Sequence, residues 1–282
     1  MIAALVIVFR EMLEMVLVLG ILLAATRGLA GSRRWIGFGI GGGLIGALIV
    51  ALFMEEMEAA FNGAGEFLFN AIVLLLASGL IAWTVFWMTN HGRELSTRMK
   101  QVGNSVKDGT LPYTALAIVS LSAVMREGSE AAFFLFGAAQ TAQTDGWGLM
   151  AGGILGMVTA FATGAVIYAG MIRVPVHHLF SVAGWMLMLI ASGMASQAAM
   201  NLVTINWLPP LIDRIWDTSW LLPQTSLLGE ILHVLIGYDE GPSGIQFLVF
   251  IGSLLTMALL YHRLQGKTSG DGQGGRLRRS PA

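Results

Sequence analysis

Cysteine is absent from this chain, which removes disulfides, thiolate metal sites and cysteine nucleophiles and leaves the compartment undetermined. Charge is scarce as well. Asp, Glu, Lys and Arg make up 12% of the 282 residues, against ~25% in soluble domains. Neither sign dominates, since the formal net charge is -1, so the overall balance points neither to nucleic acid nor to an acidic lipid surface. Histidine occurs only at His91, His177, His178, His233 and His262, in loops or at the ends of apolar runs. The Glu-x-x-His pairs that build a di-iron oxidase core therefore occur in no apolar run, which argues against an intramembrane metal-dependent oxidase or hydrolase.

What fills the chain is apolar sequence: 55% of the residues are hydrophobic, in runs near or above the ~20 residues that cross a bilayer as a helix. We read an all-α membrane protein with seven spans, at about 2–26, 35–54, 67–90, 113–138, 148–172, 178–200 and 244–262. The first run has no basic flank ahead of it and carries charges at its centre, so it reads as a spanning helix and not as a cleaved signal peptide. The long loop at 201–243 contains Trp207, Trp216 and Trp220 with Pro209, Pro210 and Pro223. Tryptophan at this density suits the headgroup region, and we expect a short interfacial or re-entrant helix there. The Gly-, Ser- and Arg-rich tail at 263–282 has too little apolar surface to fold and is read as disordered.

Basic residues set the orientation, because cytoplasmic loops collect them. Of 16 Lys and Arg, Arg10 and Arg126 lie inside spans and only Arg214 falls on the expected outer side. The other thirteen fall in loops one, three and five or in the tail. This places the N-terminus outside and the C-terminus in the cytoplasm of a cell whose inner membrane holds the protein, which an odd number of spans requires. The outer side then gathers Glu55, Glu56, Glu58, Glu66, Asp145, Asp213, Asp217, Glu230, Asp239 and Glu240. Each is explicable as a solvated loop residue, but together their field raises the local cation concentration. Glu55, Glu58, Glu66 and His233 are the candidates for outer capture.

The sequence repeats itself. Arg10-Glu11 recurs as Arg126-Glu127, Gly42-Gly43 as Gly152-Gly153, and Ala77-Ser78-Gly79 as Ala191-Ser192-Gly193, at offsets of 116, 110 and 114 residues. Each repeat (about 2–90 and 113–200) is three spans, and three is odd, so the second copy is inverted and the seventh span stands apart. Inverted repeats place substrate at their interface near the midplane. The glycine runs read as close-packing surfaces.

The charged repeat carries the chemistry. Span one holds Arg10-Glu11-Met12-Leu13-Glu14 and span four Arg126-Glu127-Gly128-Ser129-Glu130. Glutamates three apart share a helix face and can converge on one ion. An ionised side chain at mid-membrane costs ~2.5–3.5 kcal/mol. A structural Arg-Glu network accounts for the arginines but not for the surplus carboxylates, whereas a di- or trivalent cation neutralises them. Carboxylate oxygens favour hard ions, so iron, ferric above all, fits better than copper. Met12 and Met15 read as packing and not as a thioether site.

Paired Arg-Glu-x-x-Glu sequences in spans one and four of a seven-span chain resemble the oxidase-dependent iron permeases, the family of the fungal high-affinity permease and the bacterial EfeU-like permeases. Trp83-Thr84-Val85-Phe86-Trp87-Met88 resembles the family's Trp-rich end of span three, and Ser226-Leu227-Leu228-Gly229 through Gly237–Ser243 its last outer loop. Met12 and Ser129 depart from the family's Arg-Glu-Gly-Leu-Glu form. The resemblance implies iron as cargo with no permanently bound cofactor, and Glu11, Glu14, Glu127 and Glu130 as its ligands supported by Arg10 and Arg126. It also implies capture by outer acids such as Glu66, and an extracytoplasmic oxidase and iron-binding protein as partners. A permease for another cation, such as lead or manganese, and a non-transporting membrane subunit are the alternatives.

Overall fold

The computed structural model describes residues 1–60, 65–141, 146–168, 176–223, 226, 228–229, 232–233 and 238–274. The side chains of 58–60, 88–93, 95–96, 141, 168, 176–180 and 264–274 lie outside that description. Among the described residues seven long helices follow one another: α1 (Ile2–Ala25), α2 (Ser32–Ala60), α3 (Glu66–Lys107), α4 (Thr114–Thr141), α5 (Gly146–Tyr168), α6 (Val176–Thr204) and α7 (Gly244–Gly274). Among the described residues there is no strand. Among the described residues, five helices contain a stretch long and apolar enough to cross a membrane: Ser32–Met57, Glu66–Trp87, Gly146–Ile167, Ser181–Thr204 and Gly244–Arg263. The other two, α1 and α4, are 24 and 28 residues long. At ~1.5 Å per residue each exceeds the ~30 Å hydrocarbon core, but each also carries three charges near its middle.

Burial sorts the helices. Phe38, Ile45, Leu48, Ile49 and Phe53 of α2 are exposed, as are Met150, Ile154, Val158 and Phe161 of α5 and Leu248, Leu255 and Leu259 of α7. Apolar surface on this scale is the lipid-facing coat of a membrane bundle, since in water it would drive aggregation. By contrast, α1 exposes no large apolar side chain. It is enclosed by α3, α4, α5 and α6. A helix with charges at its centre is tolerable in lipid only when neighbouring helices cover it, and this is where α1 sits.

The packing pattern survives an exchange of α1 with α4, α2 with α5 and α3 with α6. The two most extensive contacts are α2 on α4 and α5 on α1, while α1 meets α4 and α3 meets α6. The glycine runs lie in these seams. A Cβ on Gly43 would come within 2.7 Å of Val124 Cβ and 2.9 Å of the Leu121 carbonyl, and one on Gly156 within 2.6 Å of the Leu5 carbonyl and 3.0 Å of the Phe9 nitrogen. Small residues let these backbones approach.

Two expectations need correction. Span three was expected to end at 90 with a basic loop beyond it, but α3 is one helix of 42 residues reaching Lys107. No proline stands in 91–107, and Val102 and Val106 pack with Leu22, Ile36 and Leu116, at the adjoining ends of α1, α2 and α4. The helix stops where Gly109 takes φ 75° and the Thr110 N–H returns to the Ser105 carbonyl, as left-handed C-terminal caps do. The tail was expected to be unfolded from 263, yet α7 is helical to Gly274. Leu264 and Gln265 propagate a helix well, and no proline stands between Pro242 and Pro281. Residues 275–282 lie outside the described residues.

The loop at 201–243 was expected to hold a short helix, and among its described residues beyond α6, 228–229 and 232–233 are helical. The rest is irregular backbone folded on itself: Ile215 N–H donates to the Pro242 carbonyl, Thr218 N–H to Glu240, Gly244 N–H to Ile212 and Ile245 N–H to Pro210. Turn-forming Pro209 and Pro210 interrupt the helical pattern, and the chain closes through its own amides instead. Trp216 lies edge-on to Phe247 of α7 at 5.3 Å. The Asp217 carboxyl accepts from the Ser219 hydroxyl and N–H and pairs with Arg214 at 2.6 Å. These bonds, Ser219's first, hold it below the usual carboxylate range.

Candidate metal centre

The i, i+3 spacing puts Glu11 and Glu14 on one face of α1, and burial there is nearly complete: Arg10, Glu11 and Glu14 are 2%, 0% and 2% exposed. Arg10 clamps both carboxylates of its own helix. Nη1 donates to Glu11 Oε1 at 2.8 Å, and Nη2 lies 2.8 Å from Glu14 Oε1. The second contact is an ion pair without hydrogen-bond alignment, because both Glu14 oxygens lack a hydrogen-bond partner among the described residues.

Glu127 reaches this group from α4. One oxygen from each of Glu11, Glu14 and Glu127 lies within 4.8 Å of the others. Glu11 Oε2 and Glu127 Oε2 are buried without a hydrogen-bond partner. An unpaired buried carboxylate oxygen carries a full desolvation cost, and three facing one point are mutually repulsive until a cation joins them. Three oxygens bound at ~2.1 Å to one ion stand about 3–4 Å apart, so carboxylates within 4.8 Å of one another reach a common ion by side-chain movements on the order of an ångström. Acid-only ligands of this kind suit hard cations.

The second copy behaves differently. The side chains of Arg126 and Glu130 are 35% and 20% exposed. Arg126 Nε donates to Glu130 Oε1 at 3.0 Å and lies 3.7 Å from Glu127 Oε1. The arginine's Cζ stands 4.4 Å from the centre of the Trp87 ring, within cation–π range. Glu130 Oε2 accepts from the Thr84 hydroxyl at 2.9 Å. The structure thus joins Glu11, Glu14 and Glu127, with Arg10 beside them, and sets Glu130 against Arg126 and Thr84. Nothing in residue spacing singled out Thr84 or Trp87. The signal that was available is the Trp83–Met88 stretch, a polar and aromatic end to an otherwise apolar span.

Of the outer candidates, Glu55 and Glu66 are exposed near the facing ends of α2 and α3. The side chain of Glu58 lies outside the described residues. His233 is half-buried, and its Nδ1 donates to the Tyr238 carbonyl at 2.6 Å, an arrangement that orients the ring within the loop. Glu55, Glu66 and His233 do not join the buried cluster.

The profile of the iron permease FTR1 family matches residues 1–268. The ferrous iron permease EfeU of Shigella sonnei is 30% identical over 261 residues, 90% of this chain and 94% of the relative. The protein of the same name from Escherichia coli O157:H7 shows the same identity and coverage, and that of Yersinia pestis is 27% identical over 270 residues, 94% of each chain. No solved structure matches the chain.

Proposed function

The chain belongs to the iron permease FTR1 family, a multi-pass membrane transporter of iron and not an enzyme, and from that premise we propose that Glu11, Glu14 and Glu127 are where the cargo loses its water. The observation that carries this is the buried convergence of three carboxylate oxygens, within 4.8 Å of one another, from two helices. Seven spans in two inverted repeats account for it, and the packing that survives exchange of α1–α3 with α4–α6 supports that arrangement. In this reading the N-terminus is outside the inner membrane, Glu55 and Glu66 collect the ion, and rocking of the repeats passes it inward.

Charge counting sharpens the oxidation state. Glu130 with Arg126 forms a neutral pair, while Glu11, Glu14 and Glu127 against Arg10 leave a net charge of -2. A divalent ion cancels it, so ferrous iron replaces the ferric cargo that ligand hardness alone suggested. The relatives bear the name ferrous iron permease, which agrees. At ~2.3 kcal/mol per charge per 100 mV, the membrane potential favours inward movement of such an ion by roughly 5 kcal/mol. An oxidase and an iron-binding protein outside enter this proposal through the family resemblance alone.

The test is uptake of radiolabelled iron into proteoliposomes holding only this protein, with ascorbate to keep iron ferrous and in its absence. Ferrous uptake that Glu14→Gln and Glu127→Gln abolish, with both variants still inserted, is the expected result. Unchanged uptake in those variants supports a purely structural Arg-Glu network, and preferential inhibition by manganese or lead identifies a different cargo.

A further inference from the structure

Beside the three-glutamate cluster stand the residues that keep the fourth glutamate out of it. A threonine in a membrane helix usually gives its one hydroxyl hydrogen to the carbonyl a turn back. Thr159, Thr163, Thr204 and Thr256 do so here, at 2.7–3.0 Å. Thr84 does not. It is buried, and its hydroxyl crosses from α3 to α4 to bond Glu130 Oε2 at 2.9 Å. Arg126 takes the other oxygen of the same carboxylate at 3.0 Å and is itself laid over Trp87. Both oxygens of Glu130 are therefore occupied, while Glu11, Glu14 and Glu127 each present an oxygen without a hydrogen-bond partner.

The repeat explains why only one copy has this station. Ala77 corresponds to Ala191, an offset of 114 residues, so Thr84 corresponds to Ala198 and Trp87 to Asn201. On α6 no hydroxyl stands where α3 offers one, and the equivalent carboxylate, Glu14, lies beside Arg10 in the cluster. Glu127 and Glu130 are three apart on α4, so a change of side-chain rotamer carries the Glu130 carboxylate toward Glu127 once its two bonds are given up.

Resting on the cargo site proposed above, we infer that Thr84 is a positioning residue of the permease: with Arg126 on Trp87 it docks Glu130 away from the cargo and so fixes the charge that the site presents. With Glu130 docked the site carries -2; with Glu130 joined to it, -3. Docking keeps a divalent ion bound loosely enough to leave, which a conduction pathway requires.

The experiment is ferrous uptake in proteoliposomes by Thr84→Val and Thr84→Ser, with gallium as a redox-inert trivalent competitor. Losing a hydrogen bond to a charged group frees Glu130, so Thr84→Val should lower KM and maximal rate together by about tenfold and strengthen inhibition by gallium. Thr84→Ser, which keeps the hydroxyl, should restore the wild-type values. In a Glu130→Gln background, Thr84→Val should change nothing further. A raised or unchanged KM, an unaltered response to gallium, or a serine variant that behaves like valine overturns the inference. Thr84→Ala serves in place of valine if the latter fails to insert. Because Glu14→Gln tests the cargo site itself, abolition of uptake there together with a neutral Thr84→Val would reject the dock and leave the site standing.

Discussion

On α1 the arginine of the Arg-Glu-x-x-Glu sequence is sealed from solvent and clamps the two glutamates of its own helix. On α4 the same arginine is a third exposed, lies over Trp87 and holds one glutamate while the other points into the cluster. Identical spacing has therefore produced two environments. The difference comes from what faces each helix: α3 supplies Thr84 and Trp87 to α4, and the corresponding positions of α6 are Ala198 and Asn201.

The largest break in that comparison should appear in transport. Glu14→Gln removes a ligand of the buried cluster and should bring radiolabelled iron uptake to background, whereas Glu130→Gln should retain measurable uptake. Equal loss in both would make the two copies functionally equivalent and sink the division drawn between them.

Next comes stability. Arg10→Met leaves buried carboxylates uncompensated, and breaking a buried pair costs ~3–5 kcal/mol, so the detergent-solubilised protein should melt well below wild type. Arg126→Met removes a half-exposed pair and a stacking contact, together worth about 1–2 kcal/mol. Thermal unfolding of the two variants side by side checks the order, and a larger loss at Arg126 would reverse it.

Smaller effects should follow in the seams that bring each charged helix close to its neighbour. Gly156→Ala and Gly43→Ala put a methyl against the backbones of α1 and α4, and overpacking of this kind costs ~1–3 kcal/mol. Gly252 of α7 has nothing within 4 Å of an added Cβ. Gly252→Ala should be neutral or stabilise by up to ~1 kcal/mol, because alanine is the better helix former. A melting series over the three variants separates packing from helix propensity.

Much of this was legible from residues alone. Long apolar runs located the helices within a few residues at most of their ends, and the repeated Arg-Glu-x-x-Glu located the carboxylates. The failures share a cause. The basic stretch after 90 read as a loop because composition reports polarity, yet Val102 and Val106 have an apolar cluster to join, and that cluster belongs to three other helices. The closure of the 201–243 loop on itself was not legible either, because its backbone bonds join residues up to some thirty positions apart.

The sequence by itself determined that charged triplets lie at matching depth in two apolar helices, because helix period and hydrophobic length are local properties. Only the tertiary structure decided that three of the four glutamates share one point and that the fourth is turned to Thr84. Spacing along a helix fixes which face a side chain occupies, but the partner waiting on that face is supplied by another part of the chain.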